Sequence, residues 1–411
     1  MNETRALNNI DWVGLGTRLQ HARKAAGLNQ DRVAEELKVS RPTVVAIEQG
    51  KRRLTPTELI ALARLYSQDV SVLLRERVAK TDLSVAFRAR FEKRLFDLVG
   101  ETALDQAVAQ LQHLSEQYLE LEVLLGANMA RRYPATYSFE GYGDVAIAAD
   151  EIAVQERDRL NLGDAPIGDL RALLESEVGL RIFYFDLPSQ IAGMFGYTDE
   201  LGGCIAVNAK HIPERQRMTL AHEYAHFLTN RYNPEIQVLR YERRPDSERF
   251  ADAFAARFLL PSAGVRRQLR AHMQMGGSFT VGDLLHFARY FNVSFEAYCY
   301  RLEEMGILAA GTSESYKAEG LQVRKAQEIA GINSKNNFHT HKLPDRYQSL
   351  AVRAYLMDEL TEGQLMRYLD VSRMEARDIV RNLQEQVTLD QEGMANITEL
   401  ALEEPILVRS R

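Results

Sequence analysis

The feature that most constrains this chain is Met218-Thr-Leu-Ala-His-Glu-Tyr-Ala-His-Phe-Leu228, with His222-Glu223-x-x-His226 at its centre. On a helix, residues four apart lie on one face, one above the other. His222 and His226 are therefore placed to reach one metal ion together. Glu223, one residue along, is placed to touch a water bound to that ion. In such H-E-x-x-H sites the two imidazoles hold zinc and the Glu is the general base. A catalytic zinc takes three protein ligands and leaves the fourth position to water, so a third ligand is expected downstream.

It is found in Ser247-Glu248-Arg-Phe-Ala-Asp252-Ala-Phe-Ala-Ala-Arg-Phe-Leu-Leu260-Pro261. Ala251, Phe254, Ala255, Phe258 and Leu259 recur at helical spacing, and Pro261 stops the helix. Glu248 and Asp252, four apart, share one side of it. Glu248 is the expected third ligand. Asp252 is placed to accept the free ring N–H of a ligating His, which fixes its tautomer and raises its basicity. The competing reading is a solvated acidic edge beside a chance motif. Hydrolysis at such a site also needs an oxyanion stabiliser, and Tyr232 and Tyr241, between the two helices, are the candidates.

These helices resemble the ImmA/IrrE family of metallopeptidases, which are zincins. The resemblance spans about residues 145–305. Its residues are Ala165-Pro-Ile-Gly-Asp-Leu, Cys204-Ile-Ala-Val-Asn208, Arg215-Gln-Arg-Met-Thr-Leu-Ala-His-Glu-Tyr-Ala-His, and Glu248-x-x-Ala-Asp252-x-Phe-Ala-Ala-x-Phe-Leu-Leu-Pro261. It implies an α+β zincin-like domain with Zn2+ as cofactor. It also implies a repressor-like protein as substrate, cleaved in a stress, phage or mobile-element response, as in some toxin–antitoxin components.

At 411 residues the chain should form more than one domain. A composition of 45% hydrophobic and 26% charged residues is that of a globular protein. No apolar run is long enough to span a bilayer, so no membrane partner is expected. The N-terminus lacks the apolar stretch of a signal peptide. The only cysteines are Cys204 and Cys299, which points to a reducing cytoplasmic location and to two small buried residues, with no disulfide framework. A net charge of −6 argues against a protein that coats nucleic acid everywhere, though not against a local basic face.

Such a face lies near the N-terminus: Leu15 to Arg53 holds nine Lys/Arg against four Asp/Glu. Leu15, Leu19 and Ala22 mark one helix. Gln30 to Leu37 marks a second, Lys38-Val39-Ser40 a turn, and Ser40 to Glu48 a third. Ser40 suits an N-cap, Pro42 the first turn, and Gly50 a left-handed end. Thr55-Pro56-Thr57-Glu58 opens a fourth helix, and Ser71 to Leu74 a short fifth. The pair of short helices reads as a helix-turn-helix. Gly27-Leu-Asn-Gln30, Val33-Ala34, Val39-Ser40 and Val44-x-x-Ile47-Glu48-x-Gly50-Lys-Arg resemble the lambda-repressor/Cro-like (XRE) family. The resemblance implies that the third helix enters the major groove of a double-stranded DNA operator. Ser40, Arg41, Thr43 and Val44 would then face base edges, while Gln30, Lys51, Arg52 and Arg53 would meet phosphates. Glu48 is assigned to an ion pair with a neighbouring Arg. The other reading is a small helical bundle that binds protein.

The expected architecture is mainly α with a small β-sheet. It comprises a five-helix helix-turn-helix domain at 10–76, a helical connector at 77–145, the peptidase domain at 146–308, and a mainly helical region at 309–411. In the connector, Leu104, Val108, Leu111, Leu114, Tyr118, Leu121 and Leu125 recur in a heptad-like stripe that needs a partner. That partner is either a symmetry mate, giving a homodimer, or an intrachain hairpin with Phe87 to Leu98. The peptidase domain should hold three strands, near Arg181 to Asp186, Ile191 to Tyr197 and Gly203 to Asn208, with the last a candidate edge for strand addition by substrate. His286 reads as packed, and His339 and His341 as solvated. Leu365…Leu369-x-Val-Ser372 loosely echoes a second helix-turn-helix, with an interaction bundle as the alternative. The whole reads as a DNA-binding regulator fused to a zinc endopeptidase. The alternative is a regulator whose peptidase-like domain senses a ligand or metal and cuts nothing.

Overall fold

The computed structural model of the chain describes residues 12–66, 70, 73, 101–139, 142–232, 235–238, 245–274, 279–332, 342–389 and 395–399. These fall into two compact units. Residues 12–73, 101–129 and 343–399 form one, and residues 130–342 the other. As expected, the fold is mainly helical with a small sheet.

The first unit begins with α1 (Trp12–Ala25), α2 (Gln30–Leu37), α3 (Arg41–Glu48) and α4 (Pro56–Leu65). Leu15, Leu19, Val33, Val44, Ile47, Leu59 and Leu62 form its core. Local chemistry sets the helix ends. The Asn29 side chain accepts from the Arg32 N–H, and Thr55 and Glu58 form a capping box with Pro56 in the first turn. Lys38 takes the left-handed conformation in the turn (φ 54°), and Gly50 does so after α3 (φ 68°). Of the expected fifth helix at Ser71 to Leu74, only Leu73 lies among the described residues, and it is buried in this core. The same unit holds α5 (Glu101–Leu124).

The second unit contains α6 (Val145–Arg159), then α7 (Leu170–Leu173) running into a π-type turn over Leu174–Val178. There follow β1 (Arg181–Phe185), β2 (Ile191–Thr198), β3 (Gly202–Asn208), α8 (Pro213–Asn230), β4 (Glu235–Val238) and α9 (Asp246–Leu259). It closes with α10 (Ser262–Gln274), α11 (Val281–Tyr290), α12 (Phe295–Glu304), α13 (Thr312–Ala318) and α14 (Val323–Ile329). The sheet order is β1-β3-β2-β4. β1 runs parallel to β3, and the β2–β3 and β2–β4 pairs are antiparallel. Every residue of β1 and β3 is buried, and apart from Arg181 and Asn208 at their ends these strands carry only glycine, apolar or aromatic residues.

Two expectations about this sheet are corrected. It has four strands, because Glu235–Val238 adds to the outer side of β2. Gly203 to Asn208 is not an edge: β3 lies between β1 and β2, with Ile205 opposite both Ile182 and Phe195. The edges are β1 and β4. Cys204 and Cys299 are buried and form no disulfide.

The chain returns to the first unit with α15 (Asp345–Leu356), α16 (Glu362–Leu369) and α17 (Arg373–Gln384). A hairpin of β5 (Glu385–Leu389) and β6 (Ala395–Glu399) follows. α5 packs against α1 and α15, and its stripe residues Leu104, Val108, Leu111, Tyr118 and Leu121 are buried within the chain. The hydroxyl of Tyr347 in α15 lies 3.1 Å from Gln117 Oε1 and 3.0 Å from the Tyr368 carbonyl, sharing its one proton between them, and its ring meets Tyr118 edge-on at 5.3 Å. The heptad-like stripe thus finds partners far away in sequence. Phe87 to Leu98 lies outside the described residues.

Candidate functional site

α8 is buried without interruption from Thr219 to Leu228, a helix threaded through the core with no solvent face over that stretch. α9 lies across it. Phe250, Phe254 and Phe258 stack along α9, at 6.1 and 5.2 Å between successive rings, and Tyr224 of α8 meets both Phe254 and Phe258. This aromatic ladder sets the register between the helices. That register brings Glu248, in the first turn of α9, over His222 and His226. An acidic side chain there also sits favourably at the positive end of the helix dipole.

The two imidazole Nε2 atoms face each other at 3.1 Å. Glu248 Oε2 lies 3.5 Å from the first and Oε1 lies 3.3 Å from the second. All three side chains are buried, and one ligand atom from each falls within 4.8 Å of the others. Burial opposes charge on His222, but hydrogen bonds to Asp252 and Glu248 outweigh it and push its pKa up to about 10. Burial likewise opposes charge on Glu248, yet hydrogen bonds from His222 and His226 hold it down to about 2. One ligand atom from each of the three side chains converges on a common point. Two neutral nitrogens and one carboxylate are a donor set that suits zinc, whereas magnesium and calcium prefer oxygen alone.

Asp252 lies one turn beyond Glu248, and its Oδ1 is 3.0 Å from His222 Nδ1. This is the contact that orients a ligating imidazole. Glu223 is fully buried beside the pair. One feature of its setting escaped sequence reading, which is Gly193 of β2. A Cβ at Gly193 would lie 2.6 Å from Thr219 Cγ2 and 2.7 Å from Glu223 Oε1. A bare backbone is therefore what lets β2 pass so close to the Glu223 carboxylate. Tyr232 lies just past α8, largely exposed, with its ring edge-on to Tyr197 at 5.4 Å. Tyr241 lies outside the described residues, as do His339 and His341.

In the first unit, α2 and α3 are joined as a helix-turn-helix. Glu48, buried, takes a two-point ion pair from Arg23 (2.6 and 3.1 Å), as the sequence suggested. It also accepts from Gln30 Nε2 at 2.9 Å, so Gln30 braces the domain from within. Ser40 N-caps α3 by position, while its hydroxyl bonds Thr43 Oγ1 at 2.9 Å instead of a backbone N–H. Arg41 is exposed near Gln30 (3.5 Å) and Asp31 (3.8 Å). Lys51 is exposed and bonds Gln49, Arg52 pairs with Glu58 at 2.8 Å, and Arg53 lies over the Trp12 ring. Val44 is corrected: it is 2% exposed and sits in the core with Ile47, three residues on. The outer face of α3 carries Arg41 and Pro42, with Gln49 exposed just past its end.

The fold and these two sites define a chain in which a helix-turn-helix domain is joined to a metallopeptidase-like domain. Comparison with known families agrees on both parts. Residues 15–78 match the family model "Helix-turn-helix domain", and residues 175–303 match "IrrE N-terminal-like domain". No curated protein matches the chain. A solved structure, ComR from Streptococcus suis, aligns over 92% of this chain and 96% of its own. Its identity is 12% and its TM-score 0.16, too low to bear on fold or function. Among the described residues, no helix is long and apolar enough to cross a membrane.

Proposed function

We propose that this chain is a cytoplasmic DNA-binding regulator whose second unit is a zinc endopeptidase acting on a repressor-like protein, either a separate chain or a copy of itself. The observation that carries this reading is the buried convergence of His222, His226 and Glu248, with the Glu223 carboxylate against the bare backbone of Gly193. Held by those three residues, zinc supplies Lewis acidity and lowers the pKa of a bound water. Glu223 takes the proton from the attacking water and passes it to the leaving amine nitrogen. Its burial excludes bulk water, so the proton is kept at the carboxylate between the two steps. Asp252 positions the His222 ring. The sheet edge nearest Glu223 lies beyond β2, at β4, and an extended substrate segment would add there. α3 docks the first unit on DNA, with Arg41 reading a base edge and Lys51 and Arg53 meeting phosphates.

The test is bound metal, measured by elemental analysis, beside cleavage of candidate repressor proteins by the wild type, Glu248→Ala and Glu223→Gln. About one zinc per chain is expected in the wild type, lost in Glu248→Ala and retained in Glu223→Gln, with cleavage absent from both variants. Cleavage that survives Glu223→Gln would refute the mechanism. Zinc bound with no cleavage of any partner would make the domain a sensor.

A further inference from the structure

We infer that α15–α17 with the β5–β6 hairpin form a second DNA-reading module, a winged helix-turn-helix whose recognition helix is α17. The inference goes beyond the function proposed above, but borrows from it the reading that α3 docks in the major groove.

The argument is a match, residue by residue, between α2–α3 and α16–α17. Both first helices have eight residues. Both open on a side chain that caps a backbone N–H, Asn29 in one and Thr361 in the other. Both close on a non-glycine residue in the left-handed region: Lys38 at φ 54° and ψ 43°, Asp370 at φ 53° and ψ 49°. The next residue is Val in each and bonds back to the first helix, Val39 N–H to Ala34 (2.9 Å) and Val371 N–H to Met366 (3.1 Å). A serine then opens the second helix, Ser40 or Ser372. Arg41 and Arg373 follow at the same position. Each reaches back to the side chain at the first position of the preceding helix, Gln30 or Glu362. Val44 and Ala376 are the matched buried residues that seat the second helix on the first. The two left-handed turn residues, the identical spacing and the matched inward positions give both helix pairs the same local frame.

The outward face of α17 is equipped for DNA more fully than that of α3. Arg373, Arg377 and Arg381 form one stripe at four-residue steps, with side chains 64%, 67% and 59% exposed. Arginine at such positions is the commonest reader of guanine O6 and N7. The acidic residues of the helix are already engaged. Glu375 accepts the Ser372 N–H at 2.9 Å, and Asp378 pairs with Arg381 at 2.7 Å. Glu362 holds Arg373 and Arg377. Such surface pairs are weak and exchange readily for phosphate. The β5–β6 hairpin follows α17 directly, as a wing follows a recognition helix. α15 is anchored to α5 by Tyr347 and by Arg346, which bonds Glu122 and the Ala127 carbonyl. α5 also packs on α1, so both modules belong to one compact unit.

The experiment uses the full-length protein and duplex fragments selected by the wild type from a random-sequence library, probed by hydroxyl-radical footprinting. The wild type is expected to protect two segments. Arg373→Ala/Arg377→Ala/Arg381→Ala should lose one segment and bind about tenfold or more weakly, with a salt slope shallower by about 2 to 3. The corresponding triple Lys variant should keep the slope but relax base preference in that segment. Arg41→Ala should weaken the other segment alone. An α17 variant with the wild-type footprint and slope would overturn the inference while leaving α3 as the reader, and would make the arginine stripe a protein-binding face. A wild type that protects no duplex would overturn both readings.

Discussion

Replacing Asp252 with Ala separates a metal centre from an acidic edge. Its Oδ1 lies 3.0 Å from His222 Nδ1, and its side chain is 38% exposed. A hydrogen bond to a charged group contributes roughly 1.5–3 kcal/mol when buried. Partial exposure to solvent pulls this one to the lower end. Loss of an outer partner of a zinc ligand costs about 10–100-fold in affinity, or about 1.4–2.7 kcal/mol, and the two arguments meet near tenfold. Glu248→Ala removes a ligand outright and should weaken binding much further. The assay is zinc affinity by competition with a chromophoric chelator, on metal-stripped full-length protein. Asp252→Ala should bind about tenfold more weakly, and Asp252→Asn less so. An affinity within about twofold of wild type would refute the positioning role. A loss as deep as that in Glu248→Ala would make Asp252 a ligand in its own right.

Glu48→Ala leaves Arg23 buried and unpaired, a change that costs about 3–5 kcal/mol. Hydrogen exchange across α1–α4 should accelerate strongly, and Arg23→Met/Glu48→Met should restore most of the protection. Wild-type exchange in Glu48→Ala would show that the pair is not structural. Gly193→Ala forces a Cβ against Thr219 and Glu223. It should destabilise by about 1–3 kcal/mol in thermal melts and abolish cleavage while zinc stays bound, and an active variant would show that β2 yields there. Arg41→Ala should weaken binding to the selected duplex by about 1–3 kcal/mol. An equal loss on random duplex would make it a phosphate contact.

Where the chemistry depends on residues a turn apart, it was legible before any coordinates. His222 with His226, and Glu248 with Asp252, each sit on one helix, and helical spacing alone puts each pair on one side. The helix ends at Thr55 and Gly50 are similarly local, because a cap is set by the residues next to it. What spacing leaves open or misplaces lies where partners are distant. The apolar stripe of α5 announced that it must be covered, but α1 and α15 cover it, and α15 starts more than two hundred residues later. β3 looked like any apolar strand, and its central place follows from what pairs on either side. Val44 shares its stretch with outward candidates such as Arg41 and yet turns inward. One residue of helical rotation, about 100°, is enough to turn a side chain from groove to core.

The sequence by itself determined the chemical inventory: two imidazoles and a general base on one helix, two carboxylates on another, and a basic helix-turn-helix near the N-terminus. Only the tertiary structure decided how they meet. The aromatic ladder of α9 lays Glu248 over the histidines, and the missing side chain of Gly193 admits β2 to Glu223. Each of these is a matter of register between elements far apart in the chain. Register is set by which apolar faces bury one another, and no local spacing carries that information.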